Sequence, residues 1–172
     1  MTVVVWDGKT LATDRQANDG SMKWEAEKAW YVTHKEKKDM KGSEKGWVYV
    51  NRHSIVSGVG ILGSIIKMRD WFISGADPAA LDVQPNTAEL IVVSKKGLSV
   101  WSTNGTSVEL SAPMAFGEGR EYALGAMAMG ATAEEAVQIA NEYSLHCGKG
   151  VLKYTLQEGK VEGDLNGKTK EI

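Results

Sequence analysis

A chain of 172 residues with 42% hydrophobic and 24% charged residues can bury a sizeable core, and its composition is that of a soluble globular protein. The formal net charge of −2 excludes a bulk electrostatic case for binding nucleic acid or an anionic membrane. A single cysteine, Cys147, excludes an intramolecular disulfide and fits a reducing compartment. Met1-Thr2-Val3-Val4-Val5-Trp6-Asp7 lacks the basic region and length of a secretory signal. No apolar stretch approaches the ~20 residues of a membrane helix, so a cytoplasmic protein is expected.

In chain order, Thr2 to Trp6 and Thr10 to Thr13 read as strands around an Asp7-Gly8 turn, a strong hairpin signal. Lys28 to Thr33 and Trp47 to Val50 are rich in aromatic and β-branched residues and read as strands. Between them His34 to Gly46 is charged and reads as a solvated hairpin tip. Residues 54–60 lead into a helix over about 61–74, where Ile61, Ile65, Met68 and Phe72 recur at helical spacing. Leu62, Ile66 and Ile73 widen that face enough to suggest more than one covering neighbour; Gly75 and Pro78 end the helix. Strands are expected at Glu89–Val93, Leu98–Ser102 and Ser107–Leu110, turning at Lys95-Lys96-Gly97 and Asn104-Gly105. Helices are expected from Gly117 to Met129 and from Thr132 to about Tyr143, the second opened by a Thr132/Glu135 capping box. A strand, Val151–Leu156, precedes a polar tail. Helices segregated from antiparallel strands predict an α+β layered architecture in one domain spanning residues 1–172.

Some motifs mislead. Gly58-Val59-Gly60-Ile61-Leu62-Gly63 matches the dinucleotide fingerprint, but no acidic residue ends the next predicted strand and most of the β-α-β units are missing downstream. It reads more simply as a turn where backbone must approach something closely. Gly167-Lys168-Thr169 and Gly8-Lys9-Thr10 lack the first glycine of a phosphate-binding loop. His34, His53 and His146 show no metal-ligand spacing, and Cys147 reads as buried and inert. Neither a cofactor nor a metal is expected.

Taken together, Thr2 before a valine strand, Leu11-Ala12-Thr13-Asp14-Arg15-Gln16-Ala17, and Lys28 at the start of a later strand resemble the proteasome beta-subunit family. The resemblance is closest to its HslV-type branch and to related short phage and prophage proteins. Ser57-Gly58-Val59-Gly60 is similar to the family's glycine loop. Phe116 to Ala126 is similar to its G-S-G-x-x-Y-A helix start, and Thr132-Ala133-Glu134-Glu135-Ala136 to its S-A-E-E-A helix. The match spans nearly the whole chain in the right order. It implies the αββα sandwich of N-terminal-nucleophile hydrolases and a threonine peptidase or amidase acting on peptides or unfolded protein. It also implies a homo-oligomer, commonly a ring, fed by an ATPase partner.

The site implied is Thr2 as nucleophile once Met1 is removed, with its own α-amine as base. Lys28 would place positive charge beside the hydroxyl, Asp14 would orient Lys28, and the Gly60 N–H would donate to the oxyanion. Two positions depart from the pattern: Arg120 stands where a small hydroxyl residue is common, and Ser144 where an acid supports the threonine amine. These departures keep an inactive scaffold or binding protein of the same fold as the alternative, with a nucleotide-binding domain more distant.

Overall fold

The computed structural model describes residues 2–19, 21–39, 47–157, 160–165 and 168–170. Its first strand explains much of the arrangement. β1 (Val3–Trp6) is buried along its whole length. Successive strand residues point to opposite faces. Accordingly Val3 and Val5 join one hydrophobic cluster, while Val4 and Trp6 join a second. A strand apolar on both faces needs covering on both, and each fully buried valine contributes about 1.5–3 kcal/mol.

β2 (Thr10–Asp14) returns antiparallel to β1, and Asp14 is its last residue. A short pair follows, β3 (Gln16–Asn18) with β4 (Lys23–Glu25). β5 (Ala29–Asp39) and β6 (Trp47–Gly60) form a long hairpin that begins immediately after Lys28. α1 (Leu62–Ser74) leads through a 3-10 turn at Pro78–Ala80 to β7 (Ala88–Ser94), β8 (Gly97–Ser102), β9 (Ser107–Leu110) and β10 (Met114–Gly117). α2 (Arg120–Ala128) and α3 (Ala133–Tyr143) precede β11 (Val151–Gln157), β12 (Lys160–Leu165) and β13 (Lys168–Lys170).

The strands form a six-stranded sheet ordered β10-β1-β2-β11-β12-β13 and a five-stranded sheet ordered β5-β6-β7-β8-β9, besides the β3-β4 pair. The apolar residues sort into three clusters. Val3, Val5, Ala12 and Ala115 pack with Ala123, Ala136, Val137 and Ala140 of the last two helices. Val4, Trp6, Leu11 and Leu152 of one sheet meet Ile55, Ile91, Val93 and Leu98 of the other. Val56, Leu90 and Val92 meet Ile65, Met68, Trp71 and Phe72 of α1.

Several expectations are corrected. Residues 54–60 do lead into α1, as the end of a strand, while His34 to Asp39 are paired strand rather than the hairpin tip; the rest of that expected tip, 40–46, lies outside the described residues. Phe116 and Gly117 belong to β10, so α2 starts only at Arg120. The polar tail contributes two strands. Ile61, expected as the first residue of the helix, is extended and precedes α1, and the apolar face of α1 is not wholly covered, since Ile66 is exposed. The Thr132/Glu135 capping box is formed in both directions.

Candidate active site

Thr2 lies one residue before β1, and its carbonyl accepts from the Gly119 N–H at 3.4 Å. Val3 pairs with Gly117, which has φ +87° and whose added Cβ would stand 2.3 Å from that carbonyl. The close approach is open only to glycine, and it seats Thr2 on the β10–α2 turn.

Asp14, at the end of β2, is fully buried and accepts at both oxygens. Oδ1 accepts from the Thr2 hydroxyl at 2.5 Å and the Val3 N–H at 3.0 Å; Oδ2 accepts from the Gln16 N–H at 3.0 Å. Lys28 Nζ donates to Thr2 Oγ1 at 3.0 Å and to Asp14 Oδ1 and Oδ2 at 3.0 and 3.1 Å. Thr2 is 4% and Lys28 6% exposed in the full 172-residue chain, so the three groups meet at a largely buried point. Burial lowers the pKa of Lys28 from its ordinary value; the charge and hydrogen bonds of Asp14 oppose that shift. A hydroxyl flanked by a carboxylate acceptor and an ammonium donor is poised to lose its proton and to be stabilised as an alkoxide.

Solved structures with this arrangement of elements include BPH of Thiobacillus denitrificans in complex with epoxomicin, at 21% identity and a TM-score of 0.63 over 91% of this chain and 98% of that one. Eukaryotic HslV from Trypanosoma brucei matches at 18% identity and a TM-score of 0.56, over 91% of this chain and 99% of that one. Anbu from Hyphomicrobium sp. strain MC1 matches at 12% identity and a TM-score of 0.59, over 91% and 81%. This chain has the HslV fold. Neither a family model nor a curated protein matches the sequence.

Within the HslV-type fold, Gly60 closes β6 with φ +113°, and an added Cβ would stand 2.3 Å from the Thr87 carbonyl. The Ile61 N–H donates to that carbonyl at 2.9 Å. Bonds of an antiparallel ladder alternate in direction, so the Gly60 N–H turns off β7, toward the side where β5 begins after Lys28. The strands flanking Gly58–Gly63 run antiparallel, so the glycine run does not sit in the parallel β-α-β unit of a dinucleotide fingerprint.

The two departing residues lie further out. Ser144 caps α3, and its described hydrogen bonds stay with Ala140, His146 and Cys147. Arg120 is exposed and reaches the Gly117 carbonyl at 3.4 Å and Glu121 at 3.7 Å. Among the described residues no group of His, Cys, Asp and Glu is placed to hold a metal ion, and no helix is long and apolar enough to cross a membrane. A cleft lined by His34, Arg52, His53, Phe72 and Trp101 lies toward the other end of the five-stranded sheet and touches none of the predicted site residues.

Three residues near the site escape the sequence reading as functional. Gln16 is 5% exposed and ties the site to the α3–β11 loop through a 3.3 Å bond from Nε2 to the Leu145 carbonyl. Ser57 donates to the Lys28 carbonyl at 2.6 Å. Cys147 is buried, as read from the sequence, but its thiol is close enough to feel Asp14 and Lys28. Burial and then the Asp14 carboxylate push its pKa up to about 11. Gln16, within Ala12-Thr13-Asp14-Arg15-Gln16-Ala17, and Ser57, directly before the glycine run, sit inside segments already singled out; their spacing carried no chemical signal.

Proposed function

We propose that this chain is a threonine peptidase of the proteasome beta type, built as a four-layer αββα sandwich. The three apolar clusters support that layering, each joining elements that the sandwich stacks as neighbours. The observation that carries the catalytic reading is the convergence of Thr2, Asp14 and Lys28, from three separate segments, into one buried hydrogen-bonded set.

Removal of Met1 gives Thr2 a free α-amine with an ordinary pKa of roughly 7.7–8.0, well matched to a base at neutral pH. Thr2 Oγ1 attacks the peptide carbonyl carbon while its proton passes to the amine, directly or through water. Lys28 holds the developing alkoxide, Asp14 holds Lys28, and the Gly60 N–H donates to the oxyanion, where one such donor contributes about 3 kcal/mol. Collapse expels the leaving amine, which takes the proton back. Water then hydrolyses the ester on Thr2. Peptides or unfolded protein are the substrates, reached through a homo-oligomer, a ring with an ATPase partner in the fullest form of the reading.

Intact-mass analysis and epoxomicin labelling test it, epoxomicin being the compound bound in the BPH structure. The expected result is a chain beginning at Thr2 that gains one epoxomicin mass, with no gain in Thr2→Ala. A chain that keeps Met1 and takes no label overturns the peptidase reading. It would favour an inactive scaffold, the reading already favoured by Ser144, whose described bonds stay within its own turn.

The pH profile is a second check. Lys28 acts as a cation, and burial lowers its pKa below the ordinary 10.5. A lowered value means the proton is lost sooner, so kcat/KM should fall on an alkaline limb lying below 10.5. Lys28→Arg holds its charge across that range and should lose the limb, at some cost in rate. The acid limb should report protonation of the Thr2 amine.

A further inference from the structure

Lys28 immediately precedes β5, whose ladder with β6 opens at Ala29 opposite Ser57. Its backbone carbonyl is the acceptor of the Ser57 hydroxyl at 2.6 Å, and Ser57 is fully buried. Across the ladders Ser57 faces Ala29 on one side and Ile91 on the other, both fully buried apolar residues. Alanine would suit that setting as well, so packing does not explain the hydroxyl. Burying it has a desolvation cost that only a hydrogen bond offsets, and the bond found is the one to Lys28.

Ser57 also stands three residues before Gly60 on the same strand. Its hydroxyl therefore links the segment that carries the ammonium to the strand that carries the oxyanion donor. The far end of Lys28 is held by Asp14 and Thr2, and the near end by this bond.

We infer that Ser57 is a positioning residue that sets the spacing of the Lys28 ammonium and the Gly60 N–H around Thr2. This rests on the peptidase reading above. Displacements of about 1 Å at such a site can cost on the order of a hundredfold in rate. Loss of one anchor with Asp14 still in place should cost less, about tenfold in kcat, with KM unchanged because substrate contacts are not removed.

The test compares Ser57→Ala with Ser54→Ala, which deletes another fully buried hydroxyl of β6, one bonded to His34. Peptide hydrolysis gives kcat and KM. Separately, a titration of 13C-methylene-labelled lysine, with Lys28 assigned by Lys28→Arg, follows the ammonium whether or not the protein hydrolyses anything. Ser57→Ala should lower kcat about tenfold and shift the Lys28 titration, which is set by burial on one side and the Asp14 contact on the other; Ser54→Ala should do neither. If Ser57→Ala unfolds the chain, Ser57→Cys, which keeps a weak donor, carries the same readouts. Thr2-dependent hydrolysis with both readouts unmoved in Ser57→Ala overturns the inference. A shifted Lys28 titration without any Thr2-dependent hydrolysis upholds the positioning and overturns the peptidase reading instead.

Discussion

Thr2→Ala should remove peptide hydrolysis almost completely, by about a thousandfold or more, while leaving the protein folded. The two halves of this expectation have separate causes. The Thr2 hydroxyl is the atom that becomes the acyl ester, and nothing else in the cluster can replace it: Asp14 is buried behind it and Lys28 is held as a cation. Its structural share is small. Without it Asp14 still accepts from Val3, Gln16 and Lys28, so neither charge is left alone, and the loss should be about 1 kcal/mol. Thr2→Ser should retain activity, since it keeps both hydroxyl and amine. A chain extended so that Met1 cannot be cleaved should match Thr2→Ala in rate with every side chain unchanged. Hydrolysis of a fluorogenic peptide, alongside Tm, separates the two halves. Full activity in Thr2→Ala would remove Thr2 from the chemistry.

The parts of this site that the sequence made legible are those tied to local pattern. Val3-Val4-Val5 reads as a strand, Asp14 lies at the end of β2, and Thr132/Glu135 marks the start of α3. What stayed illegible depends on partners distant in sequence. β4 is exposed along its length and has no alternation to betray it; it exists because β3 pairs with it. Ser54 to Gly60 has small and polar residues that argue against a strand, yet β5 and β7 on either side impose one. Gly117-Glu118-Gly119 reads as a helix start, while the need to pass beneath the Thr2 carbonyl keeps Gly117 in β10. The direct bond from the Thr2 hydroxyl to Asp14 has no sequence signal either: the family resemblance implies only that Asp14 supports Lys28.

Asp14 also holds the site together structurally, through Lys28 and the Val3 and Gln16 N–H groups. Asp14→Ala would take the Asp14 carboxylate away from the Lys28 ammonium, 6% exposed, and would strip acceptors from the Val3 and Gln16 N–H groups. Breaking a buried pair by removing one partner costs about 3–5 kcal/mol. For a chain of this size that is a fall in Tm of roughly 10 °C, with activity lost as well. The charge can be isolated from the rest. Asp14→Asn combined with Lys28→Met removes both ions together, keeps an oxygen acceptor at position 14, and should recover much of the lost Tm. It should recover none of the activity, because the hydroxyl then has neither ammonium nor carboxylate beside it. A double variant as unstable as Asp14→Ala would show that Asp14 acts chiefly through its backbone bonds. One that regained hydrolysis would show that the ion pair is structural and that Thr2 works without it.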